Sequence, residues 1–415
     1  MSTCVAGSLD IALLGFGKVG SAFARLVAQD QSPGPGARII GALVRDAGRS
    51  RDQPGLPRLT SDARAVLGGR PDVVVELLGG LEPARALLLE ALQRRIPVVT
   101  ANKTLLAHHG EELRSASVAT HTPVLFEAAV LAGVPFLGTF ARRPHAAAAS
   151  SLAGIANGTS NFILTRCARE GCGFETALAD AQLRGYAEPD PQSDVAGTDA
   201  AEKLAVLLQH FAGRSVPPAT IETGGIDDLT AARISHAREL DGVIKPVIYA
   251  DWTHGLQAFA GPAFVPAAHP LARVDGVENA LLLGGRLGRL LFQGPGAGPE
   301  VTAATVLDDV HEAATGVAPP ARTALKSGTP GAPETAWMLT LEGARLPPAV
   351  EVADFLASHG IFMQRATARR TCGGQESQSL LVWPASRGRL QAALSGLVRA
   401  AECTVTPLRV LEDAP

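Results

Sequence analysis

Apolar residues in the first 145 positions fall in short runs separated by segments with helical spacing. Residues 9–14, 38–44, 72–78, 97–100 and 123–126 are compact apolar runs bounded by turn residues, as expected of strands buried on both faces. Residues 19–29 and 83–94 repeat apolar side chains at intervals of three and four, which predicts helices. Strands alternating with helices in this way predict a mostly parallel sheet covered on both faces. From about residue 146 the pattern changes. A strand-like stretch over 151–161 runs into an amphipathic helix, then a Pro/Asp-rich loop, then a second helix from about Thr198. Further strands are predicted over 245–249, 257–264, 279–283 and 289–292, giving an α+β region. Residues 316–336 are dense in Pro, Gly and Ala and read as a linker. A β-α-β-β-α-β pattern follows over 337–341, 349–358, 361–369, 379–383, 390–400 and 404–411. The chain is therefore read as α/β, in domains 1–145, 146–315 and 337–415 with the linker between the last two.

Gly15-Phe16-Gly17-Lys18-Val19-Gly20 is a GxGxxG placed directly after the first strand and opening a helix. In that context it is a dinucleotide-binding signature: the glycines allow the turn and close pyrophosphate approach, and the helix N-terminus supplies positive potential. The first domain is thus of Rossmann type. An acid at the end of the second strand would hold the ribose 2′-hydroxyl of NAD, whereas an arginine suits the 2′-phosphate of NADP. Arg45 is the first polar residue there, with Arg49 and Arg51 close behind, so NADP is favoured; Asp46 leaves NAD as an alternative.

Thr100-Ala101-Asn102-Lys103 stands at the end of a later strand, where an open α/β sheet faces its ligand, so Lys103 is expected towards the nicotinamide end. A lysine after a strand is equally often a surface charge, and the segment from Gly185 to Leu204 gives the support. There Glu188, Asp190 and Asp194 lie in a loop fixed by Pro189 and Pro191, and Asp199 and Lys203 are four apart on one face of the next helix. Asn157 to Asn161, rich in small hydrogen-bonding groups before a helix, is a candidate carboxylate cradle. The glycine-rich stretch 293–298 is a second candidate approach to the cofactor. Either loop is open to a purely structural reading.

Composition narrows the function classes. Lys plus Arg is 37 against 40 Asp plus Glu, and the net charge of −3 argues against nucleic-acid binding through a basic face. A hydrophobic share of 46% excludes a mostly disordered chain. The longest charge-free apolar stretch, 128–141, is broken by Gly133 and Pro135 and falls short of the roughly 20 residues of a membrane helix. The five cysteines (4, 167, 172, 372 and 403) are scattered with no CxxC, so no disulfide framework or zinc site is expected. No signal peptide is read at the N-terminus, and a cytoplasmic location is expected.

The motifs over 15–20, 100–103, 126–135, 157–164, 185–204 and 294–303, in this order, closely resemble homoserine dehydrogenase, from about Leu9 to Ala314. The last 80 residues resemble an ACT domain, a ferredoxin-like amino-acid-sensing module. The resemblance implies reversible NAD(P)H-dependent reduction of L-aspartate 4-semialdehyde to L-homoserine, on the route to threonine, methionine and isoleucine. It implies residues 146–315 as a catalytic and dimerisation domain in a homodimer or homotetramer. It matches Lys203 to the proton donor and Lys103 to a second lysine near nicotinamide and substrate. Glu188 and Asp199 match acids that hold the substrate, with Asp194 between them ordering the lysine network. Thr100, Gly185 and Gly296 fall in loops used around the cofactor. Glu127, Val130, Ala132 and Val134 match a monovalent cation site, usually sodium, with one carboxylate and several carbonyls as donors. In the ACT-like part, Pro348 stands where effector-binding modules have a glycine, so weak or absent threonine inhibition is expected. Two rival readings are a dehydrogenase of another semialdehyde, whose phosphorylating type needs an activated cysteine, and a non-catalytic amino-acid-binding regulator.

Overall fold

The computed structural model describes residues 8–30, 36–49, 57–141, 148–286, 288–296, 298–314, 326–327, 329–331 and 334–412. Cys4, Arg51 and most of the expected linker lie outside the described residues. The chain starts with β1 (Leu9–Leu14), α1 (Lys18–Gln29), β2 (Ala37–Leu43), β3 (Leu59–Thr60), α2 (Ala63–Gly68), β4 (Val73–Glu76), α3 (Ala84–Gln93), β5 (Val98–Thr100), α4 (Lys103–Thr120) and β6 (Val124–Leu125). Two short helices follow, α5 (Glu127–Val130) and α6 (Leu137–Ala141). Among the described residues the strands form one parallel sheet in the order β3-β2-β1-β4-β5-β6. The order reverses between β1 and β4, the place where such doubly wound sheets open a ligand crevice at their C-terminal edge. Ile11, Leu13, Val75 and Val99 are buried because helices cover both faces, which is why these strands read as unbroken apolar runs.

The chain continues with β7 (Ala149–Ile155), α7 (Gly158–Glu170), α8 (Phe174–Leu183), α9 (Gln192–Val195), α10 (Thr198–Leu207), β8 (Arg214–Ser215), β9 (Glu222–Thr223) and α11 (Ala231–Glu239). Then come β10 (Gly242–Asp251), β11 (Gln257–Pro266), β12 (Glu278–Gly285), β13 (Gly288–Pro295), α12 (Pro299–Ala314) and β14 (Lys326–Ser327). The last part is β15 (Thr335–Gly343), α13 (Ala349–Ser358), β16 (Met363–Ala366), β17 (Arg370–Cys372), β18 (Gln375–Ala385), α14 (Arg387–Ala401) and β19 (Thr404–Val410). Its sheet order, β19-β15-β18-β16, is that of a ferredoxin-like βαββαβ module.

The compact units differ from the domains read along the sequence. One comprises Met1–Ala149, Ala205–Pro218 and Gly294–Gly328; the other comprises Ser150–Leu204, Ala219–Gln293 and Thr329–Pro415. Helix α12 belongs to the first because Ala303, Val306 and Val310 share a core with Phe23 of α1 and the parallel sheet. An apolar helix face does not reveal in sequence which sheet it covers. The C-terminal module, in turn, is not a unit of its own. β19 pairs in parallel with β11, matching Ala263 with Arg409 and Phe264 with Val410, so the module extends the sheet of the second unit. β15 is buried on both faces: Trp337, Leu339 and Leu341 pack with α13 and α14, and Met338 packs with α7, α8 and α11. Among the described residues no helix is long and apolar enough to cross a membrane.

Candidate active site

In the first unit, the turn after β1 is built as the sequence requires. Gly15 has φ +108°, and a Cβ there would lie 2.5 Å from the Leu77 carbonyl oxygen. A Cβ at Gly20 would lie 2.3 Å from the Gly15 oxygen. These two glycines serve the turn and the packing of α1 on the strand. Gly17, the N-cap of α1, has nothing within 4 Å of its Cβ direction and is exposed, so it leaves room for a ligand. Phe16 is buried beneath it, Lys18 is exposed and Val19 half-buried. The first-turn amides of α1 lack intrahelical partners by geometry, which makes this opening fit a pyrophosphate. Just past β2, Arg45 is exposed and makes no ion pair among the described residues. The Asp46 carboxylate accepts the Gly48 amide at 2.9 Å and so is partly committed to its own turn.

A residue that sequence reasoning missed organises the neighbouring strand ends. Glu76, the last residue of β4, is fully buried. Its carboxylate accepts the amides of Leu78 (2.8 Å) and Gly79 (3.1 Å) and the Thr100 hydroxyl (2.5 Å). Burial pushes its carboxyl above the usual range, against the pull of these hydrogen bonds. Asn102 donates to the Gly80 carbonyl at 2.7 Å while its oxygen caps the Leu105 amide at 3.0 Å. Lys103 is therefore the first residue of α4, half-buried, on a helix start tied to Thr100 and Glu76. A strand ending Val-Val-Val-Glu gives no sign that its acid turns inward.

In the second unit Asp194 and Asp199 meet on one side chain, and Lys203 joins them through Asp199. Asn157 caps α7, its oxygen accepting the Ser160 amide at 2.8 Å. Its amide nitrogen donates to Asp194 at 2.7 Å and to Asp199 at 2.8 Å. Lys203 Nζ lies 3.0 Å from Asp199 and donates to the Ala156 carbonyl at 2.6 Å. The i,i+4 spacing of Asp199 and Lys203 thus forms the expected pair, with side chains 8% and 14% exposed. Burial raises the Asp194 carboxyl above its ordinary value, and the nearby Asp199 charge adds to it, while Asn157 opposes both. The carboxylates that Asn157 bonds are the protein's own, so in this structure the loop has the structural role left open for it. Asn161 instead bonds the carbonyls of Val274 and Glu278 and is structural. Glu188 is not drawn into the cluster: it is exposed, and only its carbonyl is used, by Gln182 at 3.3 Å. Gly185 ends α8 at φ +76°.

The expected cation ligands lie in the first unit. Glu127 is buried, and its carboxylate accepts three amides, from Phe136 (2.9 Å), Leu137 (2.9 Å) and Gly138 (2.8 Å). Its own amide donates to Asp309 at 3.0 Å. The carboxylate expected as a ligand therefore serves the start of α6. Val130, Ala132 and Val134 are buried, and no hydrogen bond among the described residues uses their carbonyl oxygens. Among the described residues no cluster of three or more His, Cys, Asp or Glu could hold a metal ion. Gly296 lies between β13 and α12.

Residues 15–127 match the model of the homoserine dehydrogenase NAD-binding domain, and residues 135–311 match that of homoserine dehydrogenase. A homoserine dehydrogenase from Synechocystis is 40% identical over 317 residues, 73% of this chain and 72% of that relative. The chain belongs to the homoserine dehydrogenase family. The Corynebacterium glutamicum homoserine dehydrogenase is 37% identical over 74% of this chain and 72% of its own length. The crystal structure of a homoserine dehydrogenase from Thiobacillus denitrificans is similar over 98% of both chains, with TM-score 0.85 and 32% identity. A hyperthermophilic archaeal homoserine dehydrogenase in complex with NADPH is similar over 77% of this chain and all of that one, with TM-score 0.64 and 25% identity. As a member of the family, this chain is an oxidoreductase that interconverts L-homoserine and L-aspartate 4-semialdehyde with a nicotinamide dinucleotide. Of the cysteines that the rival semialdehyde reading would need, Cys167 is buried, and burial, followed by the nearby Cys172, pushes its thiol up to about 12.

Proposed function

We propose that the reaction uses NADP in preference to NAD and that Lys203 is the group that exchanges the proton with the substrate oxygen. The observation that carries this is the Asn157 cluster. It presents a half-buried ammonium fixed by Asp199 and the Ala156 carbonyl, with Asp194 held beside it through Asn157. The bound dinucleotide supplies the hydride that reaches the aldehyde carbon. As the carbonyl oxygen becomes an alkoxide, Lys203 Nζ gives up one proton to it and stabilises the developing negative charge; in the oxidative direction it takes that proton back. Asp199 and Asp194 orient the lysine. The exposed Glu188 carboxylate is then left to hold the substrate ammonium, and Lys103 stands at the nicotinamide end of the first unit.

The preference for NADP rests on Arg45, an exposed guanidinium with no partner among the described residues, suited to the 2′-phosphate. Gly15 to Gly20 and Thr100 hold the dinucleotide, with Gly185 and Gly296 in loops around it. Val130, Ala132 and Val134 fit a monovalent cation, sodium, through carbonyl oxygens; Glu127 contributes backbone only, because its carboxylate is committed to three amides. The C-terminal module is ACT-like and weakly or not at all responsive to threonine. Pro348 is the N-cap of α13 and offers no amide, and the turn before it is fastened by Arg369 to the Pro347 carbonyl at 2.6 Å. Self-association as a homodimer or homotetramer is supported by β13, an edge strand with Leu290 and Leu291 each 44% exposed; the location proposed is the cytoplasm. Steady-state oxidation of L-homoserine, with NADP and NAD in parallel, tests the reading. Wild type should favour NADP, and Lys203→Ala should lower kcat by about 10²-fold or more. Equal use of both cofactors would remove the role given to Arg45.

A further inference from the structure

At the C-terminal edge of the parallel sheet, Glu76 stands between the strand that leads into the glycine turn and the strand that ends in Thr100. It is in register with Leu14 of β1 on one side and with Thr100 of β5 on the other. This is the place where the strand order reverses. Its side chain is fully buried, an uncommon position for an acid unless its oxygens are used. One carboxylate oxygen accepts the amides of Leu78 at 2.8 Å and Gly79 at 3.1 Å, in the loop that leaves β4. The other lies 2.5 Å from the Thr100 hydroxyl, which itself accepts the Asn102 amide at 3.0 Å.

The carboxylate joins two segments with different duties. The loop over residues 77–80 backs the glycine turn: a Cβ on Gly15 would meet the Leu77 carbonyl oxygen at 2.5 Å and the Leu78 nitrogen at 2.9 Å. Gly79 and Gly80 have φ of +73° and +71°, so this loop turns back far enough to meet the carboxylate. On the other side, Thr100 leads into Asn102, which caps α4 ahead of Lys103. Asn102 also donates to the Gly80 carbonyl at 2.7 Å and closes the circle back to the first loop. A buried strand end is made more cheaply from an apolar side chain, because a carboxyl must be stripped of water. What the acid supplies is a fixed separation between the two segments, set by hydrogen bonds that converge on it from both.

We propose that Glu76 is a positioning residue for hydride transfer: it holds the glycine turn and residues 100–103 in register, so that the nicotinamide end of the dinucleotide is kept where hydride is exchanged. The proposal rests on the placement of Thr100 and Lys103 given above. Two full-length variants separate position from charge. Glu76→Gln keeps the length and the hydrogen-bonding groups, and burial already favours the neutral carboxyl that glutamine imitates. Glu76→Asp keeps the acid and withdraws it by one methylene. Glu76→Gln should stay within about fivefold of wild type both in kcat for homoserine oxidation and in NADPH affinity by calorimetric titration. Glu76→Asp should lower kcat about tenfold or more, leave the homoserine KM within a few-fold, and weaken NADPH binding about tenfold. With homoserine deuterated at the carbon that yields the hydride, its isotope effect on kcat should exceed that of wild type. Asn102→Ser, which keeps a cap oxygen for α4 but loses the donor to Gly80, should show the same signature at smaller size. Equal impairment in Glu76→Gln and Glu76→Asp would overturn the proposal, because charge rather than position would then be at work. So would a Glu76→Asp protein altered in Tm alone, with kcat and NADPH affinity at the wild-type level. If Glu76→Asp does not fold, wild-type kcat and affinity in Asn102→Ser overturn it instead. Wild-type kcat in Lys103→Ala would contradict the placement of Lys103, while the comparison of Glu76→Asp with Glu76→Gln still decides the role of Glu76.

Discussion

The glycine turn of the first unit and the Asn157 cluster of the second are built in opposite ways. The turn is compact in sequence: its glycines lie within six positions, and nearby backbone carbonyls fix Gly15 and Gly20 as glycine while Gly17 stays open. The cluster is assembled from a strand-to-helix junction, a proline-fixed loop and a separate helix, joined by one side-chain amide. A local device tolerates change outside its few positions, whereas an assembled one depends on its connecting residue. Asn157 touches a cap amide and two carboxylates at once, so its loss should propagate to Lys203 through Asp199.

Three perturbations probe this contrast, beginning with the largest. Asn157→Ala should lower kcat for homoserine oxidation by about 10²-fold through misplacement of Lys203. It should also cost about 2 kcal/mol of stability from the lost cap and hydrogen bonds. Kinetics combined with denaturant unfolding measures both, and a kcat within a few-fold of wild type would show that the lysine is held without Asn157. The two glycines of the turn come next. Gly15→Ala should lose about 2 kcal/mol or more, since φ +108° is strained for any side chain and the Cβ meets a backbone carbonyl. Gly17→Ala should leave stability within about 1 kcal/mol and weaken NADP binding about tenfold. Calorimetric titration beside thermal unfolding separates the two, and equal stability losses would erase the distinction between turn and ligand glycines.

The smallest effect concerns pH. Burial, and then the neighbouring Glu127 carboxylate, push the Asp309 carboxyl well above the usual carboxylate range. The folded chain therefore holds a proton that the unfolded chain releases near pH 4. Stability from this source is complete below the unfolded value and is lost as pH rises towards the folded one. Asp309→Asn keeps an acceptor for the Glu127 amide and removes the titration. Its Tm advantage over wild type should grow from acidic to neutral pH, and a gap independent of pH would mean that Asp309 is ionised in both states.

Much of this architecture was legible in sequence. The apolar run over 9–14 is β1, and α13 covers 349–358 as read, because strong periodicity and clear end signals coincide there. The pair Asp199 and Lys203 followed from helical spacing alone. What escaped detection depends on tertiary contact. Glu76 reads as the polar end of a strand until the loops that wrap its carboxylate are in place. The three amides that the Glu127 carboxylate accepts were equally invisible along the chain. The return of α12 to the first unit, and the continuation of β11 into β19, are choices of packing partner that periodicity does not encode.

The central claim is that Lys203 exchanges the proton rather than merely supplying charge. Lys203→Arg tests it most directly, because arginine keeps the positive charge and donors but does not give up a proton near neutral pH. The measurement is kcat for homoserine oxidation across about pH 6 to about pH 10, with NADPH binding followed in the same protein. The account predicts unchanged NADPH affinity, a homoserine KM within a few-fold of wild type, and kcat lowered about 10²-fold or more throughout. A Lys203→Arg enzyme with kcat within about tenfold of wild type would contradict it and leave Lys203 as a positioning charge.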